Sequence, residues 1–303
     1  MCLKEREGRA PTEGGESGHS SRDHGATSTM PWRELHSRQF WRPVLAELLG
    51  TLVLVSAVLG ALVPGPGEAP VGPLYPALAV GVAIVAVAHC FGEISGAQVN
   101  PAVTLALWAT RRMDALRATF FICAQCLGAC LSTGALYLAL PLKTTADHFV
   151  NKVPLELNAA QALGVEFLCS FQMVFTVFSA EEHRRRDSPE PGNLAVGFAH
   201  TAGVLIGARF SGGSMNPARS LGPAIITGFW ENHWVYWIGP VLGALLAGVS
   251  HEFFFAPSAS RQKLVACLTC KDIDIVETAS MTGSSLSTVT QNAMRAKQAK
   301  TDN

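Results

Sequence analysis

Ser95-Gly-Ala-Gln-Val-Asn100-Pro-Ala-Val-Thr104 and Ser211-Gly-Gly-Ser-Met-Asn216-Pro-Ala-Arg-Ser220 are two versions of one phrase, set 116 residues apart. Each Asn-Pro-Ala starts a helix for a local reason. Asn is a strong N-cap, and Pro suits the first helical position, where no amide donor is needed. About ten helical residues follow in each case, Pro101–Ala109 and Pro217–Thr227. At about 1.5 Å per residue that is roughly 15 Å, half the thickness of a bilayer core.

The surrounding chain is built for a bilayer. Residues 43–63, 76–92, 118–140, 160–180, 194–208 and 233–256 are nearly free of charge and approach the length that crosses it. Across all 303 residues 49% are hydrophobic and only 15% charged, against about 25% charged in soluble domains, which argues against an ordinary soluble enzyme. The 23 basic and 23 acidic residues balance, so no bulk attraction to nucleic acid is expected. The expected fold is an all-α membrane protein with six transmembrane helices and two re-entrant half-helices.

The repeat extends outward from the two phrases. Glu47 in the first span has a counterpart in Glu166 of the fourth, and Leu127-Gly-Ala129 in the third matches Leu242-Gly-Ala244 in the sixth. Three spans per half turn the second copy upside down. Inverted repeats meet at the bilayer midplane, and interrupted hydrophobic segments mark the transport site. Two half-helices entering from opposite sides bring their positive ends together there, each worth about half an elementary charge. Asn100 and Asn216 can each turn an NH₂ donor toward a lumen. Non-helical backbone at 95–99 and 211–215 is tolerable at that depth only where it lines a wet cavity or is buried in protein.

Residues 1–31 read as a polar cytosolic tail without an apolar signal region, 32–257 as the channel domain, and 258–303 as a cytosolic C-terminal tail. Met30 is a second candidate start. Arg33, Arg38, Arg42, Arg111, Arg112, Arg117, Arg184, Arg185, Arg186, Arg261 and Lys263 gather on one side of the spans. On the other side the long connection has only Lys143 and Lys152 and the Pro/Gly-rich loop at 64–75 has no base, so both termini are placed in the cytosol.

The paired phrases, MPWRELHSRQFW (30–41) and ENHWVYWIGP (231–240) resemble the aquaporin, or major intrinsic protein, family, over residues Trp32 to Pro257. Within it they look closest to the vertebrate water-selective branch that includes the lens-fibre protein. The resemblance implies six tilted helices and two half-helices around one pore per subunit, a homotetramer, and a passive water channel in the plasma membrane. It implies a pore marked by Asn100-Pro101-Ala102 and Asn216-Pro217-Ala218, and an outer filter of Val80, Val204, Gly213 and Arg219. Water-selective relatives typically carry Phe, His, and Cys or Ala at the first three of these. Their replacement by smaller residues implies a wider, greasier filter that also admits hydrogen peroxide, urea or glycerol. Ser220 points the other way, because glycerol facilitators generally have Asp there; Ala224 and Tyr236-Trp237 also follow the water-channel pattern. With Gly213 at the filter position of mercury-sensitive relatives, no mercurial block is expected there.

The remaining chemistry-bearing residues each have two readings. Glu47 and Glu166 are ionisable groups at membrane depth, which by default suggests function. Their matched places in the repeat favour structural support, as acceptors for the loops leading into the half-helices. His200, one turn before Val204, is a candidate pH sensor or a hydrogen-bonded histidine packed between helices; His89 has weaker grounds for gating. Ser188 after Arg185-Arg186-Asp187 is a candidate phosphorylation site, or part of a charged loop that sets topology. Cys267 and Cys270 are candidates for lipidation, with a simple tail pair as the alternative. The other cysteines, mostly inside apolar segments, read as small hydrophobes. No metal cluster, cofactor or N-glycosylation sequon is expected. Two other classes share some of these features. A secondary active transporter would need a coupled ion site, and no carboxylate sits beside either Asn-Pro-Ala. A junction protein would form arrays without conducting water.

Overall fold

The computed structural model describes residues 34–65, 67–140, 147–185 and 192–269. The N-terminal tail, Ser188 with its neighbours Arg186 and Asp187, and Cys270 with the rest of the C-terminal tail lie outside the described residues. Along the chain run α1 (Arg38–Leu62), α2 (Leu74–Ser95), α3 (Pro101–Ala109), α4 (Ala115–Ala139), α5 (Ala159–Arg185), α6 (Gly192–Gly207), α7 (Pro217–Thr227) and α8 (Val235–Ser250). A π-helical turn at His251–Phe255 continues α8, and α9 (Arg261–Leu268) follows. The described residues contain no strand.

Five helices are long and apolar enough to cross a membrane: α1, α2, α4, α5 over Ala159–Glu182, and α8 with its π turn. The sixth expected span, α6, is apolar with 16 residues, about 24 Å of helix. The half-helices α3 and α7 have the bounds that their caps predict. Asn100 Oδ1 accepts from Ala102 N, and Asn216 Oδ1 from Ala218 N and Arg219 N, with Pro at the first helical position in both.

The packing follows the repeat. Helix α1 lies against α2 and α4, while α5 lies against α6 and α8. Each half-helix then crosses to the other half, α3 onto α8 and α7 onto α4, and α2 meets α6 between them. The Leu-Gly-Ala repeats explain the tightest contacts. A Cβ on Gly128 would strike Leu48 O, and one on Gly243 would strike Phe167 O. Both glycines therefore seat a third span on the residue next to a repeat glutamate, where any side chain would hold the helices apart.

The basic side departs from a plain charged rim. Arg112, counted above only as topological base, has a side chain only 8% exposed and ion-paired with Glu182 (3.3 Å) and Glu252, with its guanidinium 5.0 Å from the Phe178 ring centroid. Lys263 is 2% exposed and lies 2.5 Å from the other Glu252 oxygen. The expected tail thus begins with a docked helix, α9, capped by Ser260 and anchored through Lys263 to the π turn.

Candidate functional site

The site is assembled from the two interrupted segments. Backbone conformation repeats at the same offset as the sequence. Gly96 (φ 87°) pairs with Gly212 (90°), Ala97 (48°) with Gly213 (59°), and Val99 (43°) with Met215 (52°). Left-handed backbone at a β-branched valine costs on the order of 1–3 kcal/mol and persists only where surroundings impose it. A buried carboxylate imposes it in each half. Glu47 accepts from Ser95 Oγ (2.6 Å), Gln98 N (2.9 Å), Val99 N (2.6 Å) and Gln125 Nε2 (2.8 Å). Glu166 accepts from Ser211 Oγ (2.6 Å), Ser214 N (2.8 Å) and Met215 N (2.7 Å).

The two loops are also stapled to each other. Asn100 Nδ2 donates to Met215 O at 2.9 Å, and Asn216 Nδ2 donates to Val99 O at 2.8 Å. One hydrogen of each amide is thereby committed across the repeat. The sequence expectation of lumen-facing donors is narrowed to the second N–H of each asparagine. The N-termini of α3 and α7 meet at this junction, so two helix dipoles present their positive ends to one point.

The four residues expected to form the filter are each held by contacts of their own. Val80 and Val204 are buried in the same apolar cluster, which also holds Val99 and Met215. A Cβ on Gly213 would lie 3.0 Å from Ala208 N and 3.3 Å from Val204 Cα. Glycine here allows the loop to close against α6 as well as reducing bulk. Arg219 is 7% exposed, and its Nη1 donates to Phe149 O (2.9 Å) and Asn151 Oδ1 (2.5 Å). Both acceptors belong to the connection between α4 and α5. Sequence reasoning passed over Asn151, because a lone Asn in a loop carries no local pattern.

A cavity of about 800 Å³ is lined in part by Arg111, Arg112 and Arg117 of the basic side. It runs past Arg111, Glu93 and Glu181 at its rim to Ser95–Gln98 and the side of α3. His200 lines it, with Nδ1 tied to Val196 O of its own helix at 2.8 Å. Thus His200 combines features of both earlier readings: it faces the cavity and is held by its own helix. His89 is exposed and does not line this cavity. Among the described residues, no group of three or more His, Cys, Asp or Glu could hold a metal ion.

Apolar spans in an inverted repeat, with two capped half-helices abutting head to head, define an α-helical membrane channel. Known sequences and structures agree. The profile of the family described as major intrinsic protein matches residues 34–251. Aquaporin-4 of Mus musculus is 39% identical over 261 residues, covering 85% of this chain and 80% of that protein. Human aquaporin-2 is 39% identical over 236 residues, covering 78% of this chain and 87% of its own length. The X-ray structure of the aquaglyceroporin from Plasmodium falciparum superposes with a TM-score of 0.63, covering 72% of this chain and 98% of that one. At 20% identity that likeness concerns the fold alone. The chain belongs to the major intrinsic protein family: it is an integral membrane protein and a passive water channel.

Proposed function

We propose that water crosses this chain in file from the outer filter at Arg219, Val204, Val80 and Gly213, past the paired asparagines, into the cavity beside His200. The observation that carries the route is the reciprocal bond pair Asn100–Met215 and Asn216–Val99. It brings both half-helix N-termini to one junction, which supports placing the remaining amide donors on the path. Glu47 and Glu166 act as braces for the two loops in this reading. Both termini lie in the cytosol, the membrane is the plasma membrane, and the assembly is a homotetramer.

Small neutral solutes are included in the proposal because valines and glycine occupy three of the four filter positions. Cations are excluded mainly by desolvation. A hydronium about 5 Å from Arg219 is repelled by about 3 kcal/mol at an effective dielectric of 20. Stripping an ion of its water costs several kcal/mol even after relaxation, so the narrow lumen dominates and Arg219 with the two helix N-termini adds to it. Stopped-flow light scattering on proteoliposomes tests the reading, with water, urea, glycerol and hydrogen peroxide compared in turn. Water passing while all three solutes are excluded rejects the wider filter. Water flux no greater than bare lipid rejects the route itself.

A further inference from the structure

Arg219 is the charged member of the outer filter, yet nothing on its own helix holds its guanidinium. Among the described residues, its protein acceptors are Phe149 O and Asn151 Oδ1, both on Nη1. The first is a backbone carbonyl; the second belongs to a side chain that is itself 4% exposed. The Asn151 carboxamide has three partners at the mouth of the second half-helix. Its Oδ1 lies 2.5 Å from Arg219 Nη1 and 2.8 Å from Ser220 Oγ, and its Nδ2 donates to Gly212 O at 3.1 Å. Gly212 immediately precedes the filter glycine. One amide therefore ties the filter arginine, its neighbour Ser220 and the loop that carries Gly213 to the connection between α4 and α5.

Val80, Val204 and Gly213 offer no aromatic ring or imidazole to hold a long, charged side chain. We propose that Asn151 is a positioning residue that sets the filter's selectivity. It holds Arg219 against the wall, so that the lumen stays open while the positive charge remains beside it. This inference rests on the channel reading above. Without the Oδ1 acceptor, Nη1 keeps Phe149 O alone and the guanidinium turns toward lumen water. Aspartate at the same position keeps an oxygen acceptor for Arg219 and Ser220, loses the donor to Gly212, and adds a negative charge beside the filter's positive one.

The test compares the wild type, Asn151→Ala, Asn151→Asp and a control, Glu156→Gln, exposed on the same connection. Water flux is read by stopped-flow scattering, and cation flux by a pH-sensitive dye trapped in the vesicles. Wild-type flux no greater than bare lipid would sink the channel reading rather than this inference. Given a conducting wild type, Asn151→Ala should lose water permeability by about threefold to tenfold, as one charge-assisted hydrogen bond is removed. Asn151→Asp should keep water permeability within about twofold and gain a proton leak, because the carboxylate offsets the arginine. The control should match the wild type in both. A purely structural role predicts lower yield or stability in both Asn151 variants with no change in ion selectivity. Wild-type water flux in Asn151→Ala, or a proton-tight Asn151→Asp, overturns the proposal. If Asn151→Ala does not fold, the proton flux of Asn151→Asp decides alone.

Discussion

Replacing Glu166 by Gln isolates what the buried carboxylate does, because the amide has nearly the same shape. The wild-type group faces three donors and no acceptor: Ser211 Oγ and Ser214 N on one oxygen, Met215 N on the other. A glutamine keeps one oxygen. Turned to serve Ser211 and Ser214, it points an NH₂ at Met215 N from 2.7 Å, donor against donor. A buried donor left without an acceptor costs about 1–3 kcal/mol, and the surviving bonds lose about 1 kcal/mol each as charge assistance disappears. The variant no longer buries a carboxylate, which returns part of this. A net loss of about 2–4 kcal/mol remains, or roughly 5–15 °C in the unfolding temperature of a chain this size. The damage should reach the pore. Met215 is held at φ 52° by the bond to be lost, and its carbonyl receives Asn100 Nδ2. Relaxation of Met215 therefore loosens the staple between the halves, and water flux falls with stability. Thermal unfolding in detergent and stopped-flow flux, normalised to protein reconstituted, measure the two effects. Wild-type unfolding temperature and flux together refute the bracing argument. Reduced flux at wild-type stability refutes it too, since the glutamate would then act on the lumen.

Three other outcomes follow from contacts elsewhere. Glu252→Gln should free α9 from the π turn, since breaking a buried charge pair costs about 3–5 kcal/mol. Trypsin should then cut at Lys263, 2% exposed in the folded protein, with water flux unchanged; protection of Lys263 from cleavage counts against the anchor. Gly128→Ala drives a Cβ into Leu48 O and should cost about 1–3 kcal/mol, read as a lower unfolding temperature. Gly134→Ala, whose Cβ would meet nothing nearer than Ile226 Cδ1 at 3.9 Å, should be neutral or stabilising by up to about 1 kcal/mol. His200→Ala should leave the pH profile of water flux unchanged, the outcome expected of a packed histidine held to Val196 O. A profile that flattens on substitution assigns it the sensing role instead.

What could be read in advance was governed by locality. The starts of α3 and α7 were legible from an Asn cap directly followed by Pro, because capping is decided within four residues. The bracing places of Glu47 and Glu166 could be inferred because the repeat states them twice. Arg112, Glu182, Glu252 and Lys263 escaped, since their partners are far apart in the chain: 140 residues separate Arg112 from Glu252. One signal was available. Glu252 is an acid inside the apolar stretch 233–256, and the rule that singled out Glu47 and Glu166 applied to it equally. Helix α9 also had a local mark, a Ser260 cap before Arg-Gln-Lys-Leu-Val-Ala-Cys-Leu, masked by the polar composition around it. Asn151 had none. Its role exists only because the chain between α4 and α5 returns over the second half-helix.

In the proposed channel, the residues that break the repeat are the ones on which selectivity would rest. At the common offset, Gln98 corresponds to Ser214, Thr104 to Ser220, and Val103 to Arg219. In the first half Thr104 Oγ1 lies 2.6 Å from Gln98 Oε1, and Gln125 Nε2 donates to both Thr104 Oγ1 and Glu47. That network closes on itself within the membrane. In the second half Ser214 Oγ and Ser220 Oγ are 2.5 Å apart, as their counterparts would suggest, but Gln125, aligned through Leu127-Gly-Ala129 and Leu242-Gly-Ala244, corresponds to Pro240, which has no donor. Asn151 Oδ1 instead accepts from Ser220 Oγ, a polar partner from outside the repeat. The same substitution that puts Arg219 where the first half has Val103 thus creates a charge needing an anchor, and the open second network provides the place for one. Two equivalent half-helices could hold a pore open symmetrically. The filter proposed at Arg219 requires that the halves differ, and they differ at Arg219 and the loop that holds it.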